Sequence, residues 1–458
     1  MTLASRIVGG GTVRPGRHGR GLALGSALVA AGTIATKVAG MGKEMVTAMR
    51  LGVGPELDAF LLALVVPTTL VALVVGPLAS AFIPAFVAAR HHEGDEGGAR
   101  LLGGALLAGI AIAGVVALAT AFVATPLLRA LGGAADTTRL VAAREILLLL
   151  LPMVVIQVPV AIWSGVLNAC GRFGLPAVAP AALPLCAAAA VLWATPASAA
   201  KALAIGLSSG SALQLALLLP PVREIGWLRV PRWPHSTERL RMLAAQLAPL
   251  AVGALVLSGV PIVDQAFAAR LPAGSLATLT YAEKPVAFVN GVLAMSLATV
   301  ILPLFAQKLT AGAWAEAWRI LRRSALVAGA LSVPIAVALW QSSLVVARAV
   351  FERGEFGPAD AIVVGGVQQL YVLQIPFFAV GMVFSRFLAA ARRTDLLLAG
   401  NVGLLLANVV LDAVLVRWLG VAGIALATSL VYALAAVLLF AMCRHVERAA
   451  AAETAGEG

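Results

Sequence analysis

Four cations stand inside apolar stretches of this chain, where an isolated charge is costly: Lys37, Lys43, Lys284 and Arg386. Even on lenient insertion scales a charge at bilayer depth costs about 2.5–3.5 kcal/mol, so such residues face a partner or a water-filled space. Three acids lie near them in the sequence, Glu44 beside Lys43, Asp58 at the start of the next apolar run, and Glu283 beside Lys284. Lys37 and Glu44 are seven residues apart and share one helical face, whereas Lys43 points partly sideways. Two arrangements follow. Internal ion pairs could tie helices together, or the cations could line a cavity for an anionic group. Lysine ammoniums suit phosphate as point charges, and the cations outnumber the deep acids, so phosphate or pyrophosphate is the group expected there.

A second constellation offers oxygen. Asn408 and Asp412 in LANVVLD are four apart and share a helical face, and Asp264 and Thr428 supply further oxygens from other apolar segments. Carboxylate, amide and hydroxyl oxygens suit a hard cation. The same groups also serve as interhelical hydrogen-bond partners in lipid.

The elements that must position these residues are membrane helices. Of 458 residues, 61% are hydrophobic and 12% charged, with mean hydropathy +0.98; a soluble domain carries about a quarter charged residues. A span needs about 20 apolar residues, which gives twelve candidates at 22–50, 57–89, 101–128, 143–168, 175–194, 200–221, 243–269, 276–307, 324–348, 360–390, 395–416 and 420–442. With the N-terminus inside, twenty of the 33 Lys and Arg fall on the cytoplasmic side and nine on the other. That bias places both termini in the cytoplasm and accounts for the net charge of +12 without nucleic acid as a partner. The basic start has no convincing cleavage site, so the first helix is expected to be retained.

The halves resemble each other. VVGPLASAFIPAF (74–86) aligns on LAMSLATVILPLF (293–305), KEMVTAMRLGVG (43–54) on VDQAFAARLPAG (263–274), and LNACGRF (167–173) on LAAARRT (388–394). The second alignment sets Glu44 against Asp264 and Arg50 against Arg270. Both copies run in the same direction after six helices, so the repeat is parallel, with substrate expected between the halves. The expected organisation is a basic cytoplasmic N-terminus (1–20), a first six-helix half (21–221), a basic interfacial linker carrying Trp227 and Trp233 (222–242), a second half (243–442) and a cytoplasmic tail (443–458). Residues 313–323 read as a short amphipathic helix on the inner surface.

Catalytic signals are lacking. Cys170, Cys186 and Cys443 have no CxxC spacing. The five histidines fall in predicted cytoplasmic segments, His91 and His92 within the polar loop ARHHEGDEGGAR, and no GxxxxGK[ST] occurs. The chain is not expected to be an enzyme.

LDAFLLALVVP…GPLASAFIPAF (57–86) resembles the second-helix signature of the MurJ/MviN lipid II flippases, within the multidrug/oligosaccharidyl-lipid/polysaccharide exporter superfamily. GVLNACGRFGLPAVAP (165–180), TYAEKPVAFVNGVLAMSLATVILP (280–303) and GVAGIALATSL (420–430) resemble further blocks in the same order. The resemblance implies an all-α inner-membrane flippase, with two six-helix repeats around a cationic cavity. It would move a polyprenyl-pyrophosphate-linked glycan, the peptidoglycan precursor above all, from the inner to the outer leaflet by alternating access. It aligns Lys37, Lys43, Lys284 and Arg386 with the family's basic sites, and Asp58 with the aspartate of its DAF. It also aligns Asp264, Asn408, Asp412 and Thr428 with a sodium site found in some members, so Na+ is the one cofactor expected. Partners would be the lipid-linked glycan and membrane lipids. A cation-coupled drug exporter would prefer an acidic, aromatic cavity, and a non-transporting scaffold would recruit cell-wall synthesis enzymes. The chain departs from the family pattern in three ways. TTLVALVV follows Pro67 where the family has charged residues, lysines replace its helix 1 arginines, and twelve helices are expected against its usual fourteen.

Overall fold

A computed structural model describes residues 15–133, 137–227 and 238–456, with side chains at 15–28, 238–249, 257, 298–300 and 451–456 left out. The basic N-terminal residues up to 14, most of the linker with Trp233 and His235, and the end of the tail therefore lie outside the described residues, as do the side chains of His18, Arg239 and Arg241. The described backbone is helical and contains no strand. In lipid every backbone N–H and C=O must be satisfied within its own segment, which leaves helices as the form for Ala/Leu-rich spans.

Each of the twelve expected spans falls on helical backbone. They are α1 (Pro15–Leu51), α2 (55–93), α3 (95–132), α4 (Thr137–Ala169), α5 (Gly174–Trp193), α6 (Pro196–Glu224), α7 (Glu238–Ala269), α8 (Ser275–Thr310), α9 (314–351), α10 (Pro358–Ala390), α11 (Thr394–Leu419) and α12 (Val421–Gly456). The apolar stretch Pro55–Phe122 runs for 68 residues, about twice what one crossing needs. It is divided at Gly94, whose φ of 67° lies outside the helical region. The expected polar loop at 90–100 is thus mostly helix, broken at one glycine.

Two expectations are corrected. Residues 313–323 are not a separate surface helix: Trp314 begins a continuous helix to Gln341, because Ala317 and Leu321 pack into the core and carry the helix inward. Nor does the linker lie at an interface throughout. Residues 222–224 still belong to α6, and Trp227 is buried against Phe86, ring centroids 5.0 Å apart, with Arg90 over its ring.

The two halves pack alike. α1 lies on α5, and α4 packs on α2 and α6; in the second half α7 lies on α11, and α10 on α8 and α12. Side chains repeat too. Ser208 donates to the Leu149 carbonyl at 2.6 Å, and Ser429 to the Leu370 carbonyl at 2.6 Å. Small residues permit close helix approach, as where Gly206 and Gly210 bring α6 onto the backbone of α5 at Ala187 and Leu183.

The core has a polarity along the bundle. One apolar cluster spans both halves and includes Phe60, Ile146, Tyr281, Phe351 and Ile424. Toward the other end it gives way to two separate clusters, one around Phe82, Val158 and Trp227, the other around Phe305, Phe387 and Val446. The halves therefore share one core at one end, while toward the end that carries the C-terminus each keeps its own apolar core, with α7 still lying along α2 at 71–75.

Candidate functional site

Where the shared core ends, α1 and α8 run antiparallel. Lys43 Nζ lies 2.8 Å from Glu44 Oε1, and Lys284 Nζ lies 3.2 Å from the same oxygen. Glu44 is buried, whereas the Lys284 side chain keeps 35% of its exposure. One carboxylate thus bridges two ammoniums from different halves. Just above Lys284, Tyr281 packs against Phe351 and Phe356 in the shared core, which makes the ion cluster the roof of the cleft. Pro285 follows Lys284 within α8 and supplies no backbone N–H to the turn before it.

Lys37 lies two turns nearer the open end. A Cβ placed on Gly291 would stand 2.7 Å from Lys37 Nζ, so the ammonium rests on the bare α8 backbone there. Lys37 does not pair with Glu44, the partner its spacing suggested; Lys43 and Lys284 take that carboxylate instead. Three ammoniums against one carboxylate leave the cleft net positive. Arg386 stays apart from this cluster. Its Nε is buried without a hydrogen-bond partner, and it forms no ion pair among the described residues.

Asp58 is not a partner of the cavity lysines. It is fully buried and accepts hydrogen bonds from the Gly274 and Ala277 N–H groups at 2.7 and 2.8 Å, with Arg139 at 3.6 Å. The first N–H groups of a helix have no partner within it, and Asp58 on α2 satisfies those of α8. It therefore clasps the two halves at their joined end. Nearby, the Glu355 N–H donates to the Met49 carbonyl at 2.9 Å and Arg270 to the Ala130 carbonyl at 2.8 Å. Glu283 is turned away from Glu44 and lines a separate pocket within the second half.

The oxygen constellation does come together. Asn408 Nδ2 donates to Asp264 Oδ1 at 3.0 Å, and Thr428 donates to Asp264 Oδ2 at 2.8 Å. Asp412 stands beside them, fully buried. Both Asp412 carboxylate oxygens and Asn408 Oδ1 are buried without a donor. Three orphaned acceptors around two carboxylates are the arrangement a hard cation satisfies.

Sequence reasoning missed Gln374 and Tyr371, which line the second-half pocket, and Arg139 as a neighbour of Asp58. A polar run in an otherwise apolar segment, QQLYVLQ (368–374), was the available signal for the first two.

A family model described as "Lipid II flippase MurJ" matches residues 47–454. A probable lipid II flippase MurJ of Rhizobium meliloti (strain 1021) is 29% identical over 428 residues, 91% of this chain and 79% of that protein. That of Rhizobium tropici is 28% identical over 362 residues, 76% and 67% of the two chains. A solved structure titled lipid II flippase MurJ, inward closed conformation, superposes with a TM-score of 0.79 at 20% identity, over 91% of this chain and 87% of that one. An inward-facing multidrug resistance MATE transporter of the MOP superfamily gives 0.77 at 14% identity, over 91% and 95%. At those identities the two structures speak for the fold, an all-α polytopic membrane protein, and it is the family match over most of the chain's length that places this protein in the lipid II flippase MurJ family.

Proposed function

We propose that this chain carries lipid II, or a polyprenyl-pyrophosphate glycan of the same build, from the inner to the outer leaflet of the bacterial cytoplasmic membrane by alternating access. The observation that carries the reading is the shared carboxylate of Glu44, held by Lys43 of one half and Lys284 of the other at the top of the cleft. A pyrophosphate entering the cleft meets Lys37 first and then competes with Glu44 for the two ammoniums. Because those cations belong to different halves, replacing the carboxylate by a larger anion changes what holds the halves together. Binding thereby acts on the equilibrium between inward-open and outward-open forms. The positive-inside bias supports a cytoplasmic position for both termini, which makes the end with separate cores the cytoplasmic one. Six-helix halves joined by the basic connection after α6 are the moving bodies of this reading. No covalent step is involved.

Asp264, Asn408, Asp412 and Thr428 would hold Na+, whose charge would neutralise the facing carboxylates. Sodium-specific thermal stabilisation is the sign of it. The cationic cleft favours this reading over a drug exporter of the same fold.

The deciding experiment measures leaflet accessibility of labelled lipid II with Lys37→Ala, Lys43→Ala and Lys284→Ala combined. The expected result is loss of flipping with the protein still in the membrane. Full flipping by the triple variant overturns the mechanism.

A further inference from the structure

The second half holds a cavity of 310 Å³ among α7, α8, α10, α11 and α12, lined by Asp264, Glu283, Tyr371, Gln374, Phe378 and Tyr432 among others. A smaller cavity of 200 Å³ shares Glu283, Gln374, Phe378 and Tyr432 with it and extends along α8 to Asn290 and Gly291. Gly291 is where Lys37 rests, so the smaller cavity reaches the stretch of α8 against which that ammonium lies.

Their chemistry is the opposite of the cleft's. Two carboxylates line them and, among the described residues, no Lys, Arg or His does. Glu283 forms no ion pair or hydrogen bond among the described residues and is exposed to the space it lines. Asn290 is only 9% exposed, yet its Oδ1 has no donor and it faces the same space. The Phe378 and Tyr432 rings, centroids 5.8 Å apart at 71°, form one wall. The repeat shows that the fold does not require this wall. At the equivalent places of the first half stand Gln157 and Ser211, which with Gln214 satisfy one another, Gln157 Nε2 donating to Gln214 at 3.1 Å and to Ser211 at 3.4 Å. The second half has aromatic faces, an unpaired carboxylate and an unpaired amide oxygen instead.

Aromatic faces, a carboxylate and an acceptor oxygen without a donor are what an organic ammonium binds. We propose that this pocket receives a primary ammonium borne by the head group of the transported lipid while its pyrophosphate sits on Lys37, Lys43 and Lys284. The inference rests on the flippase reading and sharpens it: the favoured substrate is a dipolar head group with phosphates and a free amine in one molecule. Glu283 and Lys284 are consecutive residues of α8, pointing about 100° apart, so one head group can span both sites.

The test compares two probes in detergent-solubilised full-length protein, lipid II with its free amine and the same lipid with that amine acetylated. Wild type should bind the amine form about tenfold more tightly, the equivalent of about 1.4 kcal/mol. Glu283→Gln and Tyr432→Leu should each bring the amine form down toward the acetylated one. Lys43→Ala should weaken both probes alike and keep their ratio. Equal binding of both probes by wild type, or a ratio unchanged in Glu283→Gln and Tyr432→Leu, overturns the ammonium site and leaves the flippase reading standing. Binding of neither probe by wild type overturns both.

Discussion

Glu44 and Asp264 occupy equivalent positions of the two repeats, yet Glu44 is held by two ammoniums at 2.8 and 3.2 Å and Asp264 by an amide and a hydroxyl at 3.0 and 2.8 Å. Equivalent acidic positions of the two halves thus carry two chemistries. On α1 the carboxylate is answered by cations that an anion can take from it. On α7 it is answered by neutral donors and faces a second carboxylate, which leaves negative charge for a cation.

Thermal unfolding in Na+ against K+ distinguishes the two. Wild type should be stabilised by Na+, by about 2.7 kcal/mol when the ion is a hundredfold above its Kd. Asp412→Ala should lose that increment, and Glu44→Gln should keep it while losing lipid II transport. A Na+ increment retained in Asp412→Ala would remove the oxygen cluster from consideration as the site.

The clasp of Asp58 on α8 concerns the joined end. Asp58→Ala leaves the Gly274 and Ala277 N–H groups buried without an acceptor, and each hydrogen bond to a charged group is worth about 1.5–3 kcal/mol. Because those bonds join α2 of one half to α8 of the other, their loss should shift the protein toward forms parted at the outer end. In a background lacking the native cysteines, Thr278→Cys, a buried position, should react with an impermeant thiol reagent from outside several times faster when Asp58→Ala is also present. Equal rates would mean that the clasp does not gate this end.

Much of this was legible in the sequence because membrane helices announce themselves by length and apolarity. The twelve spans and the identity of Lys37, Lys43, Glu44 and Lys284 as unusual residues follow from that alone, and the repeat from aligning the two halves. Which charge pairs with which was not legible. Helical spacing joined Lys37 to Glu44, but Lys284 comes from a helix 240 residues away in the chain, and its proximity is set by how α8 crosses α1. Asp58 was misassigned for a related reason. Its true partners are backbone N–H groups, which no side-chain pattern advertises. The oxygen cluster was easier, since Asn408 and Asp412 share one helix face and the second carboxylate, Asp264, marks itself by being charged in an apolar segment.

Lys37 can be tested without removing it. Gly291 leaves the α8 surface bare where the ammonium rests, and a methyl group there would lie 2.7 Å from Nζ and 3.2 Å from Cε. The clash is with the far end of a flexible side chain, so Gly291→Ala should displace Lys37 rather than the helix. Alanine within a helix also gains about 1 kcal/mol over glycine, which predicts unchanged or raised thermal stability. Lipid II flipping should nevertheless fall, by about tenfold if the displaced contact is worth about 1.4 kcal/mol to the transported anion. A stable Gly291→Ala protein with wild-type flipping would mean that the position of Lys37 on α8 has no part in handling the phosphates.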